Sequence, residues 1–307
     1  MRALVASATP PHAELVQLPD PRPAPDQALV EVRAFSLNRG ETRMLSTLAP
    51  GTVAGWDVAG DVRAPAADGS GPPPGARVVG MMPARGGGWA ELAAVRTEML
   101  AQLPDAISFE QASTLPIAGL TALRALEVAG FVLRKRVLVT GASGGVGRFA
   151  IQLARLGGAR VTAFARRTDG LQVLGADEVI SELEPEGPTY DVILDAVGGP
   201  ILGTALRRVA AGGIVVSFAS TVPELVSFPT RDLFGRAPGA RLYGLLVFAE
   251  YERTRSGSAD LRRLADLVAD RRLDVQIDLT VSWQDAGTAI EALLERRVNG
   301  KAVLTVD

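Results

Sequence analysis

The stretch that most constrains how this chain can fold is Val137-Leu-Val-Thr-Gly-Ala-Ser-Gly-Gly-Val-Gly147. The apolar run from Val137 to Thr140 predicts a buried strand that enters a glycine cluster directly. Phe149, Ile151, Leu153 and Leu156 then recur among small residues at helical spacing. Strand, glycine turn and helix in succession is the setting in which a dinucleotide fingerprint carries meaning. The spacing here is Ala142-x-Gly144-x-x-Gly147, with alanine at the first position and Ser143, Gly145 and Val146 completing the turn. Small residues allow a tight turn, close backbone approach to a pyrophosphate and close packing of helix on strand. Free N–H groups at the helix N-terminus, with the helix dipole, then favour phosphate. An ordinary tight connection between strand and helix is the alternative reading.

The next strand adds the deciding residues. Arg160-Val-Thr-Ala-Phe-Ala165 is followed by Arg166 and Arg167, about 20 residues past the last glycine, where an acidic residue would hold the ribose 2′-hydroxyl of NAD and an arginine would accommodate the 2′-phosphate of NADP. Forked guanidinium donors suit phosphate oxygens. The pair predicts NADPH; a solvated basic turn is the bland alternative.

The chain's 307 residues suit two domains at about 100–200 residues each. The net charge of −2 creates no field that would draw nucleic acid or an anionic membrane. No cysteine is present, which excludes disulfides, thiolate metal sites and a cysteine nucleophile. No apolar run reaches the roughly 18 residues of a membrane span and no secretory signal is evident, so a soluble, cytoplasmic protein is expected. Lysine occurs only as Lys135 and Lys301, and asparagine only as Asn38 and Asn299, in an arginine- and alanine-rich chain.

Along the chain, residues 1 to about 115 alternate short strands with Pro/Gly-rich turns, which predicts a β-rich domain. Strands are expected at Arg2–Ser7, Ala28–Leu37, Val53–Val62, Arg77–Met82 and Ala90–Val95. Ser108-Phe-Glu-Gln111 reads as a capping box opening a helix, and a second helix is expected over Ile117–Ala129. From Val137 strands alternate with helices, implying a parallel sheet wrapped by helices. Helices are expected near Gly145–Leu156, Asp169–Leu174 and Ile201–Val209, and a long apolar strand at Arg241–Phe248. The tail returns to the first pattern, so the domains are drawn as 1–115 with 249–307, and 116–248.

Taken together these residues resemble the medium-chain dehydrogenase/reductase superfamily, in its zinc-independent quinone-oxidoreductase-like branch. Gly55-Trp-Asp-Val-Ala-Gly60, Gly75-Ala-Arg-Val-Val-Gly80, Gly88-Trp-Ala-Glu91, Gly119-Leu-Thr-Ala122, Leu174-Gly-Ala-Asp177, Asp191-Val-Ile-Leu-Asp-Ala-Val-Gly198 and Asn299-Gly-Lys-Ala-Val-Leu304 follow in the family's order. The resemblance implies an α/β protein with a GroES-like β-rich domain and a Rossmann-type, doubly wound parallel-sheet domain. It also departs from the zinc enzymes: Gly55-Trp56-Asp57 stands where they carry Gly-His-Glu, and His12 is the one histidine. Catalytic zinc takes three protein ligands, so none is expected here.

The resemblance implies NADPH along a cleft between the domains, its hydride passing to a quinone or to a C=C conjugated to a carbonyl. A pathway-specific enoyl reductase or cyclase of secondary metabolism, or a non-catalytic NADPH-binding protein, is the alternative. Asn38 would donate to the substrate carbonyl or order the cleft wall. Thr121 is carried over as a contact near the nicotinamide, or is a helix-interior threonine, and Asn299 and Lys301 as a cofactor-facing turn, or a plain surface turn. Val197, Phe218 and Ala219 lie at strand ends, where open α/β sheets bind ligands, or are plain turns. Phe248, with Val247, lines the nicotinamide pocket or belongs to the core. Asp195 is read as ordering the Val197–Gly198 turn. Tyr190, Tyr243 and Tyr251 lie outside the segment that supplies a tyrosine proton donor in some relatives, so solvent is expected to supply the proton. A homodimer through the edge of the nucleotide-domain sheet is also implied.

Overall fold

The computed structural model describes all 307 residues. They divide into two compact units, Met1–Leu120 with Tyr251–Asp307, and Thr121–Glu250. In chain order, β1 (Arg2–Ala6) and β2 (Ala13–Gln17) form a hairpin, and β3 (Gln27–Leu37) leads into a short helix α1 (Arg39–Met44). Strands β4 (Asp57–Ala64), β5 (Arg77–Met81), β6 (Leu92–Arg96) and β7 (Leu100–Gln102) follow, then α2 (Phe109–Ser113). A π-helical turn over Leu115–Gly119 leads into α3 (Leu120–Ala129).

The second unit continues with β8 (Arg136–Thr140), α4 (Gly145–Leu156), β9 (Arg160–Phe164), β10 (Glu178–Ile180), β11 (Tyr190–Asp195) and α5 (Gly199–Arg207). It ends with β12 (Val209–Ser217), α6 (Arg231–Gly235), β13 (Arg241–Gly244) and the first half of α7 (Val247–Thr254). The tail returns to the first unit as α8 (Gly257–Ala269), β14 (Ile277–Ser282), α9 (Ala286–Leu294) and β15 (Lys301–Thr305).

In the first unit a seven-stranded sheet runs β14-β15-β3-β4-β5-β7, with β6 also paired to β3. β15 lies antiparallel to β3 with Ala302 opposite Leu37, so the last strand delivers Lys301 to the end of β3. The alternating burial of β3 turns Ala28, Val30 and Val32 into a core that also includes Phe35, Trp89 and Trp283. Phe35 and Trp89 stack with ring centroids 5.8 Å apart, a favoured aromatic geometry.

The second unit holds a six-stranded, wholly parallel sheet in the order β10-β9-β8-β11-β12-β13. Strand order reverses between β8 and β11, and the crevice at such a reversal is where open parallel sheets bind ligands. β8 and β11 are buried nearly throughout, and β12 from Gly213 to Val216, as parallel strands covered on both faces must be. No helix is long and apolar enough to cross a membrane.

Several elements differ from the sequence reading. The strand expected over Arg241–Phe248 stops at Gly244, and Val247 begins α7. Val247 and Tyr251 are both buried one helical turn apart, a period-3.6 signal hidden in a run of apolar residues. Asp169–Leu174 forms consecutive turns rather than a helix, bounded by Gly170 and Gly175, both at positive φ. The strand expected from Val53 starts at Asp57 because Gly55 adopts φ +100°, with Trp89 where a Cβ would stand. The helix expected from Ile117 opens as the π turn.

Candidate functional site

Two groups of residues carry the chemistry, one in each unit. In the second, β8 ends at Thr140 and the chain turns sharply through Gly141 at φ +63°. Ala142 stands outside the left-handed region, which is why alanine is tolerated at the first fingerprint position. Its N–H donates to the Phe164 carbonyl at 3.1 Å, tying the turn to the end of β9. Gly144 is the N-cap of α4, exposed and extended at φ −80°, ψ 170°. A Cβ on Gly147 would lie 2.6 Å from the Gly141 carbonyl oxygen and 2.7 Å from Ala142 Cα, so only glycine lets the helix sit this close. Ser143, Gly145 and Val146 are half-buried. The first N–H groups of α4 have no acceptor within the helix. A backbone cradle of this kind fits a diphosphate.

Around that cradle, Arg166 is exposed and Arg167 half-buried just past β9. Asp195, at the end of β11, is fully buried; its carboxylate accepts from Thr140 Oγ1 at 2.6 Å, Gly198 N at 3.1 Å and Val197 N at 3.4 Å. It orders that turn. Burial raises its pKa against these donors. The Val197 carbonyl accepts from Thr221 N at 2.9 Å. Phe218 is half-buried and Ala219 exposed beyond β12, Phe248 is half-buried in α7, and Thr121 is buried in α3. The structure thus gathers the glycine turn, Arg166, Arg167, Val197, Phe218 and Ala219 at the carboxyl ends of parallel strands.

The first unit holds a buried polar cluster. Asn38 caps α1 in a capping box with Glu41. Glu41 Oε1 accepts from Asn38 N at 2.7 Å and Asn38 Nδ2 at 3.1 Å, and Oε2 accepts from Trp56 N at 2.8 Å. Asp57 Oδ2 accepts from Asn38 Nδ2 at 2.7 Å and Ser36 Oγ at 2.5 Å, while Oδ1 accepts from Ile117 N at 2.8 Å in the π turn. Lys301 Nζ donates to Asn38 Oδ1 at 2.8 Å and Leu37 O at 3.1 Å, and lies 3.5 Å from Asp57. Burial, then the charge of Asp57, holds the Glu41 carboxyl well above its usual range. Burial pulls the Lys301 ammonium down against the two carboxylates.

Both Asn38 amide hydrogens are engaged inside the cluster, with Glu41 Oε1 and Asp57 Oδ2. Lys301 is buried in β15 with its ammonium engaged internally, whereas Asn299 is half-buried with Oδ1 lacking a partner. His12 rests its Nδ1 3.2 Å from the Ser7 carbonyl oxygen. The hydroxyls of Tyr243 and Tyr251 bond Glu250 and the Leu120 carbonyl.

Sequence reasoning passed over Glu41 and Arg148. Arg148 is 4% exposed, its guanidinium donating from Nε to Ser143 O and from Nη2 to Asp169 O, each at 3.2 Å. Its signal was a charge directly after Gly147, with Gln152 one turn on along a buried helix.

A β-rich unit completed by the chain's tail, with a parallel sheet bearing a glycine turn at its strand-order reversal, defines a two-domain oxidoreductase of GroES-like and Rossmann-type construction. Residues 24–105 match a family model described as the alcohol dehydrogenase GroES-like domain, and residues 174–304 one described as zinc-binding dehydrogenase. A chloroplastic quinone-oxidoreductase homolog of Spinacia oleracea is 32% identical, across 95% of this chain and 93% of that protein. A chloroplast envelope quinone oxidoreductase homolog of Arabidopsis thaliana is 35% identical over the same shares, 95% and 93%. The solved quinone oxidoreductase of Coxiella burnetii superposes with a TM-score of 0.86 at 28% identity, covering 100% of this chain and 99% of that one. The chain belongs to the medium-chain dehydrogenase/reductase superfamily, in its zinc-independent quinone-oxidoreductase-like branch.

One family description names zinc, and the residues here do not fit that metal. No three His, Asp or Glu side chains converge on a point, and the one buried pair of carboxyl groups, Glu41 and Asp57, already encloses the Lys301 cation.

Proposed function

We propose that this oxidoreductase uses NADPH to reduce a quinone or an α,β-unsaturated carbonyl compound. The observation that carries the reading is the pairing of β8 with β9, Thr140 opposite Phe164, which sets the phosphate turn beside Arg166 and Arg167. The relatives' names, quinone oxidoreductases, support the acceptor class.

The free N–H groups of Ser143, Gly145 and Val146 would hold the diphosphate, favoured by the helix dipole. Arg166 and Arg167 would hold the 2′-phosphate through charge-assisted hydrogen bonds. Val197, Phe218 and Ala219 would line the course of the dinucleotide along the strand ends. Thr121 and Phe248 would border its nicotinamide. The chemistry that NADPH would supply when held there is a hydride, and solvent would supply the proton that completes the reduction. Within the first unit, Asn38, Glu41, Asp57 and Lys301 form a rigid internal scaffold, and preorganised surroundings are what a protein contributes when a cofactor carries the chemistry.

The test is NADPH oxidation across a panel of quinones, enones and enoyl thioesters, with NADH as control. Turnover on quinones or enones with NADPH preferred is the expected result. Tight NADPH binding without turnover on any acceptor would leave a non-catalytic binding protein instead.

A further inference from the structure

We infer that Arg148 is a positioning residue that sets the preference for a 2′-phosphorylated nucleotide, by bridging the diphosphate turn to the far end of the loop that carries Arg166 and Arg167. The inference rests on the NADPH reading above and extends it to a residue that touches neither phosphate.

The loop runs from Ala165 to Gly170 and needs an anchor at each end. At its start, Phe164 O accepts from Ala142 N at 3.1 Å and Ala165 N donates to Ile180 O at 3.1 Å. At its end, Asp169 lies two residues beyond Arg167, and its carbonyl accepts from Arg148 Nη2 at 3.2 Å. The same guanidinium donates from Nε to Ser143 O at 3.2 Å, inside the phosphate turn. One rigid, planar group therefore spans the turn that would grip the diphosphate and the loop that would grip the 2′-phosphate. Only arginine offers donors in a fixed fork of this kind; a lysine ammonium is a point charge on a flexible stem.

The surroundings explain why the bridge is stiff. Gly147 packs α4 against Gly141 and Ala142 at distances no Cβ would allow, so Arg148 starts from a backbone with no play. Gly170 adopts φ +75° with its Cβ direction toward Arg148 Nη1, 3.8 Å away, letting the loop fold down over the guanidinium. Gln152 Nε2 donates to the Arg148 carbonyl at 3.1 Å. Taking a guanidinium out of water is costly unless it is well bonded, and Arg148 as a residue is only 4% exposed, so its guanidinium needs the carbonyls it bridges. Residues that hold the first-contact groups in place commonly decide how well those groups work.

The experiment compares two small probes that differ only in one phosphate: adenosine 2′,5′-bisphosphate and adenosine 5′-monophosphate. Calorimetry gives both dissociation constants for the wild-type chain, Arg148→Met and Arg148→Lys, with thermal melts of each. The ratio of the two constants isolates the 2′-phosphate, so general loosening of the fold, which weakens both probes alike, does not move it. The expected result is a wild-type preference for the bisphosphate that falls about tenfold in R148M, with partial recovery in R148K. An unchanged ratio in a folded R148M overturns the inference, as does full recovery in R148K, which would make charge alone sufficient. A parallel loss of both affinities in both variants also overturns it. A wild-type ratio near one would instead remove the NADPH reading itself.

Discussion

Four side chains at the end of β3 show what a single contact can decide. Lys301 reaches Asn38 across 263 residues of sequence, and its ammonium offsets two buried carboxyl groups. Removing one member of a buried charge cluster strands the others, at a typical cost of about 3–5 kcal/mol. Lys301→Met should therefore lower the urea midpoint markedly at neutral pH. The sign of the pH dependence follows from Glu41. Its pKa in the fold is raised above the ordinary 4.5, so its contribution to stability is full below that value and is lost as pH rises through the raised one. Taking away the cation raises it further, and the deficit of K301M relative to wild type should widen from pH 5 to pH 8. A constant deficit would show that Lys301 matters through packing alone. In the sequence, Asn38 and Lys301 stood out by rarity, and the family motifs marked their positions. Their mutual contact was not legible, because it depends on β15 pairing with β3 rather than on any local pattern.

The elements divide into those with a local signature and those without. The glycine turn announced itself because each small residue answers a steric demand of the backbone. Gly147→Ala would place a methyl 2.6 Å from the Gly141 carbonyl oxygen, where neither backbone can yield. Overpacking of this kind costs about 1–3 kcal/mol. The variant should melt lower and bind NADPH at least tenfold more weakly by calorimetry, whereas unchanged affinity would mean the turn is not the phosphate site. The parallel strands were readable as continuous apolar runs, and the Ser108 capping box formed as drawn. Failures came where two periods coincide. Leu245, Leu246, Val247 and Phe248 satisfy a strand pattern, yet the next buried residues, Glu250 and Tyr251, complete a helical stripe that the apolar run masked. Over Asp169–Leu174, positive-φ glycines at Gly170 and just beyond, at Gly175, broke a helix that the spacing allowed. Arg148 escaped notice because a buried arginine looks like a surface one until its carbonyl partners are known.

At the scale of the whole molecule, each unit is organised by its own sheet, and the chain passes between them at Leu120–Thr121 and Glu250–Tyr251. The return of the tail was legible from the renewed strand-turn pattern; the register that seats β14 and β15 beside β3 was not. In the parallel sheet β13 is an edge strand with Leu242 56% exposed, and Leu246 just beyond it is 60% exposed. Unpaired edges invite another strand, and we propose that a second copy of the chain covers this one. Light scattering should find a dimer for the wild type and a monomer for Leu242→Asp; a wild-type monomer would remove the proposal. One further consequence lies in how the two lysines are housed. Lys135 is about half exposed, its side chain at 49%, while Lys301 is sealed at 3% where the last strand, β15, pairs with β3. An amine-reactive dye has a single lysine to find while the sheet is closed, and a label on the other becomes a chemical clock for its opening.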